Sequence, residues 1–328
     1  MKIIKLLFST AIIVSLTLLA CQKDDPTAFV LPPNPSPTPT SAIGDFFKNN
    51  LEDATQSFTV NPNNYSITGN KGTVITFNDN TFTYANGNAV VGNFTIELIE
   101  AQHKRDMLRL NKQTVTKDGQ LLVSGGIVYV NATQNGQQLS INDSNPVQAS
   151  IPTDNYLAMD YFTGGDDANG DFGWDLSVDD TVTTNTAIDS TGQGGEWELF
   201  LFDFSIDSVG WINCDYFYSS GDPLTDVEVD LPEDYNGSNT MVFVYYSDIN
   251  AVANMNDSDE DGTFNLGYSY ETPVGMDVSF IVVSEIDGSY YYAIVAATIT
   301  DNHLEIIDDS AINGPFTEED IENFMNSL

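Results

Sequence analysis

The stretch GIVYVNATQNGQQLSI (Gly126–Ile141) decides the fold class. Ile127 to Val130 are β-branched or aromatic, and Asn135-Gly136 follows shortly after. Both central residues of a type I′ turn need positive φ, which Asn and Gly tolerate, so the pair predicts a tight hairpin. The same grammar repeats outward. SFTV (57–60), YSIT (65–68), TVITF (73–77) and NFTIELIE (93–100) are short runs with period two. The turn clusters NPNN (61–64), ANGN (85–88) and KDG (117–119) separate them. Asn86-Gly87 is a second expected hairpin tip.

Seven further runs follow, from YLAMDYF (156–162), WELFLFDF (197–204) and GWINCDYF (210–217) to SYYYAIVAATI (289–299), with longer and more acidic loops. The expectation is an all-β chain of two antiparallel sandwich-like domains, 55–152 and a more acidic 153–307. Residues 308–328 are expected as a C-terminal helix. In FTEEDIENFMNSL (316–328), Thr317 suits the N-cap, acids fill the first turn, and Ile321, Phe324, Met325 and Leu328 share a stripe. A short helix is expected around Ile43 to Leu51.

Charge limits what the chain binds. It carries 10 basic and 48 acidic residues, and 39 of the acids follow Lys117, after which no Lys or Arg occurs. Holding nucleic-acid phosphates requires Lys and Arg to displace condensed counterions, so a nucleic-acid partner is excluded. An acidic surface of this kind attracts divalent cations instead. Disorder is excluded as well, because 41% hydrophobic and 11% aromatic content supplies a core.

The N-terminus reads as an address. Lys2 and Lys5 precede an apolar run to Ala20 that is too short to span a bilayer and fits a secretory signal over residues 1–20. Leu18-Leu19-Ala20-Cys21 resembles the lipobox of bacterial lipoproteins, which implies that Cys21 is acylated and becomes the mature N-terminus. Lys23, Asp24 and Asp25 resemble the lysine-then-acids signal that sends lipoproteins of Bacteroidota to the outer face of the outer membrane. Residues 26–41 hold six prolines and read as a semi-rigid tether reaching roughly 50 Å at ~3.1 Å per residue. Residues 21–54 are therefore taken as acylated terminus, tether and lead-in. The segments KGTVITFNDNTFTYANGNAVVGNFTIELIE (71–100), LLVSGGIVYVNATQNGQQLSI (121–141), GWINCDYFY (210–218) and TPVGMDVSFIVVS (272–284) resemble surface-exposed Bacteroidota lipoproteins. That resemblance implies fold and location, and no reaction.

Few motifs point to chemistry. G-x-S-x-G, H-E-x-x-H, C-x-x-C, P-loop and G-x-G-x-x-G patterns are absent. His103 and His303 read as surface or turn residues, and Cys214 as core filler. Paired carboxylates for glycoside hydrolysis need a ~5–10 Å separation that a sequence does not display. Asp257, Asp259 and Asp261, spaced i, i+2, i+4 before Gly262, match the first half of a calcium loop, but Tyr268 stands where a bidentate Glu belongs. Asp167, Asn169 and Asp171 repeat the spacing without the glycine. Trp174, Trp197 and Trp211 are candidates for a glycan platform.

The expected function is a non-catalytic surface lipoprotein, anchored by its acyl chains in the outer membrane and facing the exterior. It would be a binding or scaffold subunit of an outer-membrane β-barrel or complex for uptake, export or barrel assembly. Lys104, Arg105 and Arg109 are the expected docking residues for an acidic partner or lipopolysaccharide. A glycan-binding protein and a surface hydrolase are the alternatives.

Overall fold

The computed structural model describes residues 42–61, 65–153, 157–167, 171–189, 197–256, 261–266 and 272–328. The expected signal peptide, Cys21, Lys23, Asp24, Asp25 and the tether lie outside the described residues.

Asn135 (φ 53°) and Gly136 (φ 76°) both occupy the left-handed region, and Thr133 pairs with Gln138 across them. The expected hairpin tip is therefore present. Asp287-Gly288 (φ 51° and 79°) builds the same turn between the strands Asp277–Ile286 and Ser289–Thr298. Asn86-Gly87 differs. Only Gly87 has positive φ, and the Tyr84 N–H reaches the Asn88 carbonyl (3.0 Å), so the loop holds three residues rather than two.

The strand Leu122–Gln134 is buried along nearly its whole length. Val128, Val130 and Ala132 enter one core, while Ile127 enters another. A strand covered on both faces needs apolar residues at both parities, so it reads as a continuous run rather than an alternation. Its sheet, sheet I, has the order 56–60, 94–101, 122–134, 210–217, 160–166, 172–177. Sheet II runs 183–189, 197–206, 147–153, 74–76, 66–68. Ile96, Leu98, Val130, Ile151, Phe202 and Cys214 fill the core that their facing sides share.

Sheet III runs 252–255, 240–246, 277–286, 289–298, 313–316, and sheet IV runs 263–265, 227–230, 303–306. Val229, Val244, Phe264, Phe280 and Val282 pack between them. Sheets I and III bury their remaining faces in one helical seam. Helix α1 (Ala42–Ala54) contributes Ile43, Phe46 and Phe47, the i, i+3, i+4 stripe of an amphipathic helix. A short α2 (Lys104–Arg109) contributes Met107 and Leu108, and α3 (Glu318–Ser327) contributes Ile321 and Met325. Thr317 caps α3 as expected, accepting the Asp320 N–H (3.3 Å). Phe324 stacks on Tyr292 with ring centroids 3.9 Å apart.

The architecture is all-β, as expected, with three departures. The break expected between 152 and 153 falls inside both sheets: Pro152 pairs with Leu201, and strand 210–217 bonds to 122–134. Sheet membership changes between Phe217 and Leu224 instead, and all described residues belong to one contact unit. Loop acidity changes near residue 155, but pairing follows matching apolar faces, which continue across it. The second departure is a parallel strand pair, 227–230 with 303–306. The third is that residues 313–316 form a strand, so the helix begins only at Glu318.

Candidate functional site: a basic-rimmed cleft beside α2

Helix α2 follows strand 94–101 directly and is held by its own acid. The Asp106 carboxylate accepts the N–H groups of Gln102 (3.2 Å) and His103 (3.1 Å), satisfying donors that a helix start leaves open. Lys71 pairs with it at 2.5 Å. Asn250 then ties three segments together. Its Nδ2 donates to the carbonyls of Gln102 (2.9 Å) and Ser124 (2.7 Å), and its Oδ1 accepts the Lys104 N–H (2.6 Å).

Around this knot lies a cleft of about 690 Å³, with His103, Lys104, Arg105, Ser124, Asp248 and Asn250 among its walls. Two of the three expected docking residues meet here. Lys104 is turned inward: its Nζ donates to the carbonyls of Ser247 (2.8 Å) and Tyr246 and lies 4.4 Å from the Tyr245 ring centroid. Burial lowers its pKa, with Asp248 pulling the other way. Arg105 donates to the Asn326 carbonyl (3.3 Å) in the last turn of α3, where carbonyls lack helical partners. His103 is exposed. Arg109 is absent from the cleft walls and instead offers its carbonyl to Asn50 of α1 (3.1 Å).

A buried polar network lies behind Ser124. Its hydroxyl donates to Asn213 Oδ1 (2.8 Å), and Asn213 Nδ2 donates to Asp215 (2.5 Å) at a β-bulge in strand 210–217. Asp215 is fully buried. Burial pushes its carboxyl up to about 8, against the hydrogen bond from Asn213. Gly125 is required here, because a Cβ would lie 2.5 Å from the Phe202 ring and 2.9 Å from the Cys214 carbonyl. The Ser124 hydroxyl donates to an amide oxygen rather than to a base, so the network does not activate it as a nucleophile.

The other sequence candidates fall elsewhere. Trp174 and Trp211 are buried in the seam, and the Trp174 indole N–H donates to the Gln113 carbonyl (2.6 Å), so these two form no open glycan platform. Their apolar neighbours claim them: Phe172 meets Trp174 edge-on at 5.1 Å. The Trp197 side chain lies outside the described residues. Cys214 is buried core filler, and burial raises its pKa further. His303 is not a surface residue; it stacks on Phe280 at 5.6 Å.

Asp261 accepts the Thr263 N–H (3.0 Å) beside a hairpin base where Asn256 and Asn265 exchange backbone hydrogen bonds (2.7 and 2.9 Å). Asp257 and Asp259 lie outside the described residues, so calcium there rests on sequence alone. Among the described residues no three His, Cys, Asp or Glu side chains gather as metal ligands. Asp167 and Asp171 bond each other across their hairpin, the Asp171 N–H meeting Asp167 Oδ1 at 3.0 Å, and Asn169 lies outside the described residues.

One buried cation carries no sequence signal. Lys112, only 1% exposed, sits 3.9 Å from the Phe172 ring centroid and 5.0 Å from that of Trp211. Burial brings its pKa down to about 7, with Asp166 opposing. The unfolded chain holds a proton between pH 7 and 10.5 that the folded chain has released, so stability rises with pH through that window. Lys112→Met keeps the unbranched shape. It is expected to raise the melting temperature by a few degrees at pH 7 and to abolish the rise towards pH 10, which thermal melts across that range would read.

Comparison with protein families, curated proteins and solved structures returned no match.

Proposed function

We propose that the chain is a non-catalytic, lipid-anchored surface protein that serves as an accessory or scaffold subunit of an outer-membrane assembly. It docks an anionic group of its partner in the cleft beside α2. The observation that carries this reading is the gathering of His103, Lys104 and Arg105 on one cleft of a chain whose net charge is −38. Of the other described cations, Lys71 pairs with Asp106, Lys117 with Asp175 (2.6 Å) and Lys48 with Glu52 (3.9 Å), Lys112 lies in the seam, and Arg109 lies outside the cleft. The lipobox and lysine-acid resemblances supply the anchor and the exterior face. A phosphate or carboxylate of lipopolysaccharide is the second occupant that the same rim fits.

Arg105→Glu tests the reading. Removing one well-placed charge pair and creating a repulsion costs on the order of tenfold in affinity. The partner co-purified from outer membranes with the wild-type protein is expected to fall by roughly that factor, and Arg105→Lys is expected to retain most of it. An unchanged yield of the same partner with the folded Arg105→Glu protein would sink the proposal.

A further inference from the structure

We propose that the open edge of sheet IV, strand His303–Ile306, receives a basic extended segment of a partner protein as an added β-strand. Three observations carry it. The first is the edge itself: among the described strands, none pairs with the far side of 303–306. The His303 N–H bonds the Asp226 carbonyl (3.1 Å) and the Ile307 N–H bonds that of Asp230 (3.0 Å). Odd-numbered residues therefore face the neighbouring strand, and the backbone groups of Leu304 and Ile306 point outward along the ladder direction. No described backbone group takes them.

The second observation is apolar. Leu304 is 52% exposed and Ile306 61%, side by side on the outer face. Edge strands are ordinarily blunted by lysine, proline or a bulge to prevent pairing with another chain. This four-residue strand carries none of these, and its inward-pointing acid, Glu305, lies 3.5 Å from the His303 ring.

The third observation is charge. Leu304 lies opposite Glu228 and Ile306 opposite Asp230 in the parallel register, and both acids alternate outward with Asp226 on the same face. An added strand would lie ~4.8 Å beyond the edge, and so ~10 Å from the acidic row. A Lys or Arg side chain of that strand would lay its methylenes across Leu304 and Ile306 and turn its charged head towards Glu228 and Asp230, whose carboxylates extend from the other side of the gap. The occupant that fits is an extended segment with Lys or Arg at every second position. A second copy of this chain does not fit, since pairing edge to edge would set two acidic faces side by side and no Lys or Arg follows Lys117.

The probe is a fluorescent nine-residue peptide alternating lysine and valine, titrated against the folded full chain. Binding is expected to weaken roughly tenfold in the Glu228→Gln, Asp230→Asn double variant and at least tenfold when prolines replace the pairing residues of the peptide. Hydrogen exchange at the Leu304 and Ile306 amides is expected to slow on binding. Equal affinity for the proline peptide, or protection confined to other acidic loops, would show non-specific attraction and overturn the proposal. Self-association through this edge in sedimentation, abolished by Ile306→Lys, would overturn it as well.

Discussion

Asp215→Asn is expected to raise the melting temperature at pH 7 and to give no gain near pH 4. The folded carboxyl titrates at about 8 because it is fully buried, whereas an unfolded Asp titrates near ~3.9. Between those values the folded chain holds a proton that the unfolded chain has released, so stability falls as pH rises and levels off above pH 8. At pH 7 the cost is about 4 kcal/mol at most, from ~1.4 kcal/mol for each of roughly three pH units. Asparagine does not ionise and keeps an oxygen for the Asn213 amide. Its NH2 group, however, forfeits about 1–3 kcal/mol if left without an acceptor. The net gain at pH 7 is then about 1–3 kcal/mol, some 2–8 °C. Thermal melts at the two pH values check it. An equal shift at both would mean that Asp215 is not held protonated.

Phe47→Ala is expected to destabilise the chain by about 3–5 kcal/mol, the usual cost of emptying a fully buried phenyl site. Phe47 sits on α1 in the seam, 5.1 Å from the Phe46 ring and 5.8 Å from that of Phe243 on sheet III. The same seam holds Ile99, Ile127 and Trp211 of sheet I. The loss should therefore appear in one cooperative denaturant transition, with sheets I and III melting together. Two transitions, with only the later sheets moved by the substitution, would mean that the seam does not couple them.

Strand positions and the C-terminal helix were legible because their signals are local. Asn135-Gly136 sets its own turn, and Thr317 with Ile321 and Met325 sets its own helix. Partner choice was not legible. Strand 210–217 returns across some 80 residues to 122–134, and the GWINCDYF run states that it is a strand without stating whose. Loop acidity, which suggests a break at 152, reports solvent exposure rather than pairing. In the cleft, Lys104 and Arg105 were visible as charges, but their inward bonds to the Ser247 and Asn326 carbonyls were not. Asn250 gives no signal at all, since one asparagine among many holds the cleft only by where the fold delivers it. Asp215 did leave a trace: an acid inside the strand GWINCDYF, next to a cysteine expected in the core.

The most direct test of the docking role places a photoreactive cross-linker at His103, on the cleft wall, in cells that produce the full chain. The same group at Val178, 82% exposed and outside the cleft walls, serves as the control. The account predicts a discrete adduct with one outer-membrane component from position 103, lost on Arg105→Glu and absent from position 178. The same adducts from both positions, or none from position 103, would contradict it.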